Sequence, residues 1–241
     1  MSGFVDLHAH WVPAVDDGVK TDAEALEMLR GLAALGYARC VATPHIRTAM
    51  FENRRPGLED AHAAFVGRVQ GEALPELGLG AEHFFDDVFW GLFQRGEHLP
   101  YPGGKAALVE LPPERLPLRL EHVFFEMRVR GVRPILAHPE RYRDFYDRSD
   151  ALEPLLDAGA VPQLDLMSLV GRYGRHPQRA AERLLDEGFY YLACSDAHRP
   201  ADVELVGRGI ERLRELVGRE EADAMLGDHP RRVLAGDPDF E

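Results

Sequence analysis

The sequence predicts an α/β fold in which about seven parallel strands form a closed or nearly closed barrel. Short apolar runs alternate with helix-like stretches along the chain, and no change in composition marks a domain boundary or a long linker. Such alternation implies parallel strands joined by helical crossovers. An open doubly wound sheet is the competing arrangement, but no glycine-rich nucleotide-binding fingerprint follows the first strand. We therefore expect a single domain over residues 1–241.

The individual elements follow from local sequence patterns. The first strand is the apolar run 4–7, and the first helix begins after Thr21, whose hydroxyl can cap it with Glu24 as the capping-box partner. The apolar stripe of this helix is formed by Leu26, Leu29, Leu32 and Ala33. Further strands are predicted within 39–45, 77–85, 105–113, 132–141, 161–168 and 190–198, and further helices within 57–73, 118–131 and 176–188 and from about 201 onward.

Composition and charge are typical of a globular cytoplasmic protein. No apolar run of about 18 residues is present, so we expect no membrane insertion, and the first residues lack the basic region of a signal peptide. The chain has 28 Lys and Arg residues against 41 Asp and Glu residues, for a formal net charge of −13. Nucleic-acid partners require a basic face, so none is expected. Cys40 and Cys194 are too few for a disulfide framework.

Most predicted strands finish on a side chain that can bind a metal ion. These residues are His8, His10, His45, Glu82, Glu110, His138, Asp196 and His198. In an α/β barrel the carboxyl ends of the strands meet on one face, where the active site lies, so these side chains are expected to converge. Asp16 or Asp17 adds a further carboxylate. Imidazoles and carboxylates without a thiolate suit two or three ions of Mn, Fe or Zn.

The other histidines are expected to be structural or solvated, because a lone histidine in a charged or helical stretch is seldom a ligand. They are His62, His83, His98, His122, His176 and His229. His83 adjoins Glu82 and is therefore a candidate to orient that ligand without binding the metal itself.

Six short motifs connect the sequence with a known superfamily. In chain order they are "DLHAH", "TPH", "GAE", "VELP", "AHPERY" and "SDAH". This series resembles the polymerase-and-histidinol-phosphatase (PHP) superfamily, whose fold is a distorted (β/α)7 TIM-like barrel with three metal ions at the strand carboxyl ends. "AVDDG", "MFEN" and "SLVGRYG" make the chain most similar to the CpsB/CapC-like tyrosine-protein phosphatases of bacterial capsule and exopolysaccharide operons.

The resemblance implies three divalent ions, with Mn expected and Fe or Zn as alternatives. The first ion would be held by His8, His10, Glu82 and Asp196, with Glu82 bridging to a second ion completed by Glu110 and His138. The third would be held by Asp17, His45 and His198. Asp17 is chosen over Asp16 because the family ligand is the aspartate next to a glycine.

The resemblance also implies the residues that act on phosphate. Arg141, in "HPERY", matches an arginine that the family uses to bind phosphate, and Arg141, Asp196 and His198 are the expected catalytic residues. The family has a second arginine several residues beyond "SDAH". This chain instead has Arg199 directly after His198, which makes Arg199 the candidate substitute.

The activity implied by the resemblance is hydrolysis of phosphotyrosine in proteins by a metal-activated hydroxide. A phenolate leaving group, with a pKa of about 10, needs less help from a general acid than an alkoxide does. The implied partner is a phosphotyrosyl protein, expected to be a bacterial tyrosine autokinase that controls polysaccharide export.

Three other functions remain as alternatives, and cysteine catalysis is rejected. A small-molecule phosphomonoesterase of the histidinol-phosphatase kind would use the same metal centre, as would a PHP phosphodiesterase or exonuclease, although the acidic chain and "VDDG" count against the latter. A non-catalytic regulator would be expected to have lost a ligand. Neither Cys40 nor Cys194 is followed by an arginine at the spacing of cysteine-dependent tyrosine phosphatases.

Overall fold

Nine parallel strand segments build the centre of the molecule in the computed structural model, which describes residues 3–237. They are β1 Phe4–Ala9, β2 Tyr37–Ala42, β3 His45–Ile46, β4 Glu76–Leu79, β5 Glu82–Phe84, β6 Ala106–Glu110, β7 Arg133–Ala137, β8 Val161–Asp165 and β9 Leu192–Cys194. One sheet has the order β1–β2–β4 and the other the order β3–β5–β6–β7–β8–β9. Residues 1–2 and 238–241 of the predicted domain lie outside the described residues.

Backbone hydrogen bonds join the two sheets into one ring. At one seam the Asp196 amide donates to the His8 carbonyl at 2.9 Å, and residues Ala9 and Ala197 form a parallel bridge. At the other seam the Gly80 amide donates to the Ala42 carbonyl at 2.8 Å, just before β5 pairs with β3. The pairs β2–β3 and β4–β5 are therefore two interrupted strands in a ring of seven. This confirms the distorted TIM-like barrel.

The strand boundaries differ from the prediction at these two interruptions. The predicted strand 39–45 stops after Ala42, because Pro44 has no amide hydrogen to donate to a neighbouring strand. The predicted strand 77–85 is likewise divided at residues 80–81. Both interruptions lie next to a predicted ligand, His45 in one case and Glu82 in the other.

Nine α-helices within residues 3–237 surround the ring. They are α1 Asp22–Ala34, α2 Arg55–Arg68, α3 Asp87–Arg95, α4 Leu120–Val129, α5 Glu153–Asp157, α6 Arg175–Asp186, α7 Asp202–Val217, α8 Arg219–Asp223 and α9 His229–Ala235. Helices α3 and α5 were not predicted from the sequence. Helix α3 has ordinary end signals, since Asp86 caps it by accepting from the Phe89 amide at 2.8 Å and Gly96 ends it with φ of 70°.

Helix α1 confirms the predicted capping box and corrects the predicted apolar stripe. The Glu24 amide donates to the Thr21 hydroxyl at 3.2 Å, and the Thr21 amide donates to the Glu24 carboxylate at 3.3 Å. The buried face is Ala25, Met28, Leu29 and Leu32, whereas Leu26 and Ala33 are half-buried. The buried face shares Leu29 and Leu32 with the predicted one but is displaced toward Ala25 and Met28.

Two apolar layers hold the barrel together. Residues from six strands, including Val5, Leu108, Ile135 and Leu192, form a small cluster of their own, which places them inside the ring. A larger cluster joins the strands to the surrounding helices and includes Met28, Phe65, Phe124 and Leu213. No helix within the described range is both long and apolar enough to cross a membrane.

Candidate metal centre

All nine predicted metal ligands lie at the carboxyl-end side of the barrel strands. His8 lies near the end of β1, Glu110 is the last residue of β6, and His138 follows β7. The others are His10 and Asp17 after β1, His45 and Glu82 at the two strand interruptions, and Asp196 and His198 after β9. We call these nine residues the ligand cluster.

Glu82 lies at the centre of the ligand cluster and is almost completely buried. Its Oε2 atom is 3.2 Å from His8 Nε2 and 3.0 Å from His45 Nδ1, and its Oε1 atom is 3.0 Å from His138 Nε2. A carboxylate with both oxygens among different imidazoles has the geometry of a bridging ligand.

Asp196 is a second buried carboxylate shared by several histidines. Its Oδ1 atom is 3.1 Å from His8 Nε2, 3.4 Å from His10 Nε2 and 3.8 Å from His198 Nδ1. His8 and His10 thus face both carboxylates at once, as the spacing of two residues on a strand predicts.

The ligand cluster divides into four overlapping groups in which one ligand atom per residue lies within 4.8 Å of the others. The groups are His10, Asp17, His45 and His198; His8, His10 and Glu82; His8, His138 and Asp196; and His45, Glu82 and Glu110. The grouping implied by the resemblance places Glu110 and His138 together. Here Glu110 is grouped with His45, and His138 is grouped with His8.

Several buried ligand atoms have no hydrogen bond within residues 3–237. They are His8 Nε2, His10 Nε2, His45 Nδ1, Glu110 Oε2 and Asp196 Oδ1. Leaving a buried polar atom without a partner costs about 1–3 kcal/mol, so this many in one place indicates that a further group satisfies them. Imidazole nitrogens and carboxylate oxygens fit divalent Mn, Fe or Zn, and the residues present therefore fit the implied ions.

The two consecutive aspartates have different surroundings. Asp17, the predicted ligand, has a 55% exposed side chain, and its Oδ1 atom is 3.4 Å from His45 Nε2 and 3.6 Å from His198 Nε2. Asp16 is buried; its Oδ2 atom is 2.8 Å from His10 Nδ1 and accepts from the His45 amide at 3.1 Å. Asp16 therefore orients His10, a role that the sequence reasoning missed although carboxylates commonly support ligand histidines.

Gly18 is required beside these aspartates because the chain packs tightly there. A Cβ atom at this position would lie 2.2 Å from the His10 carbonyl oxygen. The Gly18 amide also donates to Asp16 Oδ1 at 2.9 Å. The glycine thus provides space for close backbone approach.

The carboxylates of the ligand cluster do not ionise alike. Burial acts against the charges of Glu82 and Asp196, but neighbouring histidines, including His8, hold the pKa of each well below its usual range. Burial and the charge of Glu82 raise the pKa of Glu110 to about 8. A cation bound beside Glu110 favours its charged form, because an opposite charge within a few ångströms lowers the pKa of a carboxylate.

The histidines divide into two kinds. Burial, followed by the charge of Arg141, lowers the pKa of His138 to about 4. A neutral imidazole of this kind is ready to coordinate a cation. Burial also opposes the charged forms of His8 and His10, but the surrounding carboxylates raise the pKa values of both. A proton and a metal ion therefore compete for the same negative pocket.

Two residues of the ligand cluster have left-handed backbone conformations. The φ angle is 32° at His138 and 47° at Asp196. A non-glycine residue with positive φ costs about 1–3 kcal/mol and persists where the surrounding structure requires it, as happens at functional sites. Here the conformation turns each side chain at the point where its strand ends.

Arg141 lies beside Asp196 at the rim of the ligand cluster. Its Nη1 atom donates to Asp196 Oδ2 at 2.7 Å and is 3.7 Å from Asp165 Oδ2. Its guanidinium lies 4.3 Å from the centre of the Tyr173 ring. The side chain is 29% exposed, so it is held in place yet reachable from solvent.

A second arginine, Arg47, lies at the rim and was not predicted. Its Nη1 atom is 3.7 Å from Glu110 Oε2, and its guanidinium lies 4.1 Å from the centre of the Phe84 ring. Paired backbone hydrogen bonds with Phe51 fix the turn that carries it. Arg199, the candidate from the sequence, is 62% exposed, with its Nε atom 3.8 Å from Asp202.

The remaining histidines and the two cysteines lie outside the four ligand groups. His83 is buried, with Nδ1 3.1 Å from the Leu108 carbonyl, and its Nε2 accepts from the Leu99 amide at 3.2 Å. Both its nitrogens thus bond to the backbone instead of supporting Glu82. Burial raises the pKa values of the Cys40 and Cys194 thiols well above the usual range, which leaves no nucleophilic thiolate.

The fold and the ligand cluster together define the class of α/β-barrel enzymes with metal sites at the strand carboxyl ends. Within that class, the family model described as capsular polysaccharide synthesis, CpsB/CapC, matches residues 4–235. The chain belongs to this family.

Named relatives and a solved structure agree with this assignment. The chain is 29% identical over 196 residues to the tyrosine-protein phosphatase YwqE of Bacillus subtilis, covering 80% of this chain and 77% of YwqE. It is 22% identical over 241 residues to the tyrosine-protein phosphatase CpsB of Streptococcus pneumoniae, covering 95% and 98%. A structure from work on YwqE and CpsB, described as unique metal-dependent tyrosine phosphatases, superposes with a TM-score of 0.89 at 26% identity, covering 98% of this chain and 96% of that one.

Proposed function

We propose that this chain is a metal-dependent tyrosine-protein phosphatase. The observation that carries the proposal is the set of buried imidazole and carboxylate atoms that lack hydrogen bonds, in a member of the CpsB/CapC family. The description of YwqE and CpsB as metal-dependent tyrosine phosphatases supports the same reaction here.

The proposed cofactors are three divalent ions, with Mn expected and Fe or Zn as alternatives. The residues proposed to hold them are His8, His10, Asp17, His45, Glu82, Glu110, His138, Asp196 and His198. When bound, such ions neutralise phosphate oxygens as Lewis acids and supply a water molecule of lowered pKa. Glu82 is the proposed bridging ligand, because its two oxygens face different histidines.

The protein's own contribution to phosphate binding comes from its arginines. Arg141 is proposed to bind phosphate oxygens, and Asp196 orients it by accepting its Nη1 hydrogen bond. Arg47 approaches the ligand cluster from the side of Glu110 and is proposed to bind the same phosphate. Guanidinium groups match phosphate oxygens in geometry and charge. Arg199 lies farther out, beside Asp202, and is the weaker candidate.

Tyrosine phosphate suits this site because Asp196 and His198 already contact other residues and are not needed to protonate a leaving group. A phenolate leaves with a pKa of about 10, so its departure needs less protonation than that of a serine alkoxide. Asp196 holds Arg141 and faces His8, while the Nδ1 atom of His198 is 2.8 Å from the Asp196 carbonyl. Asp196 and His198 are therefore proposed to act as ligands that shape the site. The proposed physiological substrate is a phosphotyrosyl protein, with a bacterial tyrosine autokinase as the expected partner.

The test combines metal analysis with a comparison of substrates. Mn-loaded protein is assayed on a phosphotyrosyl peptide, a phosphoseryl peptide, histidinol phosphate and a dinucleotide, with and without EDTA. We expect turnover of the phosphotyrosyl peptide above the others and its loss in EDTA. Preference for histidinol phosphate would instead support a small-molecule phosphomonoesterase, and robust turnover by metal-free protein would refute the mechanism.

A further inference from the structure

A groove of about 380 Å³ lies between helix α3 and the segment that links β6 to α4. We call it the α3–α4 groove; its walls include Phe85, Trp90, Pro112, Arg115, Leu118 and Arg119. None of these residues belongs to the ligand cluster.

The α3–α4 groove begins at the edge of the candidate metal centre. The Phe85 amide donates to the Glu110 carbonyl at 2.8 Å, so the floor of the groove is bonded to a residue of the ligand cluster. Pro112 is two residues beyond Glu110, a separation of at most about 7 Å. A polypeptide advances about 3.3 Å per residue, so a chain held by its phosphotyrosine reaches the groove within a few residues.

The wall formed by the β6–α4 segment is basic. Arg115 and Arg119 are exposed, and neither side chain has an ion pair or hydrogen bond to any other described residue. The facing wall carries the carboxylates of Asp86 and Asp87, and neither lies within ion-pairing distance of Arg115 or Arg119; Asp86 accepts from the Thr48 hydroxyl at 2.6 Å and from the Phe89 amide. Two guanidinium groups without an ion pair on one wall favour an acidic side chain that can pair with them directly.

The same wall also presents apolar surface. Leu118 is 86% exposed, more than any other large apolar side chain among the described residues. Arg119 next to it has φ of 69°, and its side chain does not cap α4. An arginine in left-handed backbone carries a conformational cost that tends to be retained where it serves binding. Phe85 and Trp90, both half-buried, supply the opposing aromatic surface.

We propose that the α3–α4 groove binds the polypeptide next to the phosphotyrosine and selects substrates with an acidic and a bulky apolar side chain within about four residues of it. This inference rests on the proposed function. The acidic side chain pairs with Arg115 and Arg119, and the apolar side chain packs between Leu118 and Trp90. The groove thereby distinguishes protein substrates from small aryl phosphates.

The test uses the metal-loaded protein and three probes: p-nitrophenyl phosphate, a phosphotyrosyl peptide flanked by Glu and Leu, and one of equal length flanked by Gln and Ser. The quantity compared is kcat/KM for the Glu/Leu peptide divided by that for the Gln/Ser peptide. We expect a ratio of about 10, the size given by one or two exposed charge pairs and a partly buried apolar contact. The double variant R115E with R119E should bring the ratio to about 1 or below.

A matched variant controls for charge alone. Arg208→Glu with Arg219→Glu makes the same change in net charge on the exposed surface of α7 and α8, and it should keep the wild-type ratio. A ratio near 1 in the wild-type protein, or an equal loss in both double variants, would overturn the proposal.

Two further outcomes are decisive. If no probe is turned over, the proposed function fails. Peptide binding to the groove is then tested by NMR, on adding the unphosphorylated Glu/Leu peptide to the protein. Chemical-shift changes at Leu118 and Trp90 would support the groove as a peptide-binding site, and their absence would overturn it. If the wild-type protein sediments as a dimer that Leu118→Ser dissociates without changing the peptide ratio, the groove is a contact between copies and the proposal is wrong.

Discussion

Asp16 and Asp17 divide two tasks that the sequence motif "VDDG" presents side by side. Asp17 points outward to His45 and His198, while Asp16 is buried against His10 and the His45 amide. The proposed ligand is thus the more exposed carboxylate. Its buried neighbour, Asp16, orients the His10 ring, which two of the four ligand groups share.

Replacing the buried aspartate should weaken metal binding. Asp16→Asn removes the charge that holds His10 Nδ1, and loss of such support typically lowers metal affinity by about 10-fold to 100-fold. Competition with a chelator measures the affinity, and near-normal activity should return at high metal concentration. Asp60→Asn, an exposed aspartate on α2, is the matched control and should bind metal like the wild-type protein. Equal affinity in both variants would contradict this role.

Replacing the unpredicted rim arginine should weaken substrate binding. Arg47→Met preserves much of the contact with Phe84 but removes the charge near Glu110. A charge-assisted hydrogen bond contributes about 1.5–3 kcal/mol, so kcat/KM for a phosphotyrosyl peptide should fall by about 10-fold to 100-fold, with inhibition by inorganic phosphate weakened in parallel. Arg128→Met also removes an arginine beside a phenylalanine ring, on the outer helix α4, and should leave both measurements unchanged. An unaffected phosphate inhibition constant in the first variant would contradict the assignment.

At the scale of elements, α7 packs closely against the turn Leu166–Val170. A Cβ atom at Gly209 of α7 would lie 2.5 Å from the Leu166 carbonyl oxygen, a backbone atom that cannot move alone. This turn follows β8 directly, so the position of α7 is coupled to the end of a barrel strand. The glycine is therefore a packing requirement within a helix.

Two glycine-to-alanine substitutions should have opposite effects on stability. Gly209→Ala should destabilise the protein by about 1–3 kcal/mol through overpacking. Gly67→Ala, on the exposed face of α2 with no atom within 4 Å of the added Cβ, should stabilise it by about 0.5–1 kcal/mol through helix propensity. Urea unfolding of the metal-free proteins measures both. Equal changes in the two variants would show that the contact with Leu166 relaxes without cost.

The sequence predicted elements best where one pattern dominated. Strand ends were found because apolar runs stop at histidines and carboxylates, and α1 was found because Thr21 and Glu24 form a capping box. Helix α3 was missed although Asp86 and Gly96 supply ordinary end signals, because residues 86–104, between two predicted strands, were not assigned to any element. The role of Arg47 could not be read from spacing, since another strand brings Glu110 near it. Asp16 lies only six residues after His10, but its role depends on how the loop between them turns, which the sequence pattern does not show.

For the whole molecule, the ligand cluster connects distant parts of the barrel. Its members follow or end β1, β6, β7 and β9 and lie at both strand interruptions. Ions bound there would therefore link most of the ring and would have no comparable site in the unfolded chain.

Metal binding should accordingly stabilise the entire fold. At a free concentration about 100 times Kd, one ion adds about 2.7 kcal/mol, equivalent to about 5–10 °C in Tm for a chain of this size. Differential scanning calorimetry with Mn and with EDTA measures the shift. His138→Ala should show a clearly smaller shift than the wild-type protein. An identical Tm with and without metal would contradict the proposed occupancy of the ligand cluster.

The bridge between Ala9 and Ala197 has a consequence for the order in which the protein forms during synthesis. The ribosome makes β1 first, but its closing partner emerges only after most of the chain, and joining such remote segments is entropically slow. The contact between His8 and Asp196 can therefore form only after nearly the whole barrel has been synthesised. A nascent or truncated chain that ends at β9 lacks two of the nine residues of the ligand cluster, Asp196 and His198, so complete metal loading would require that translation has passed the last barrel strand.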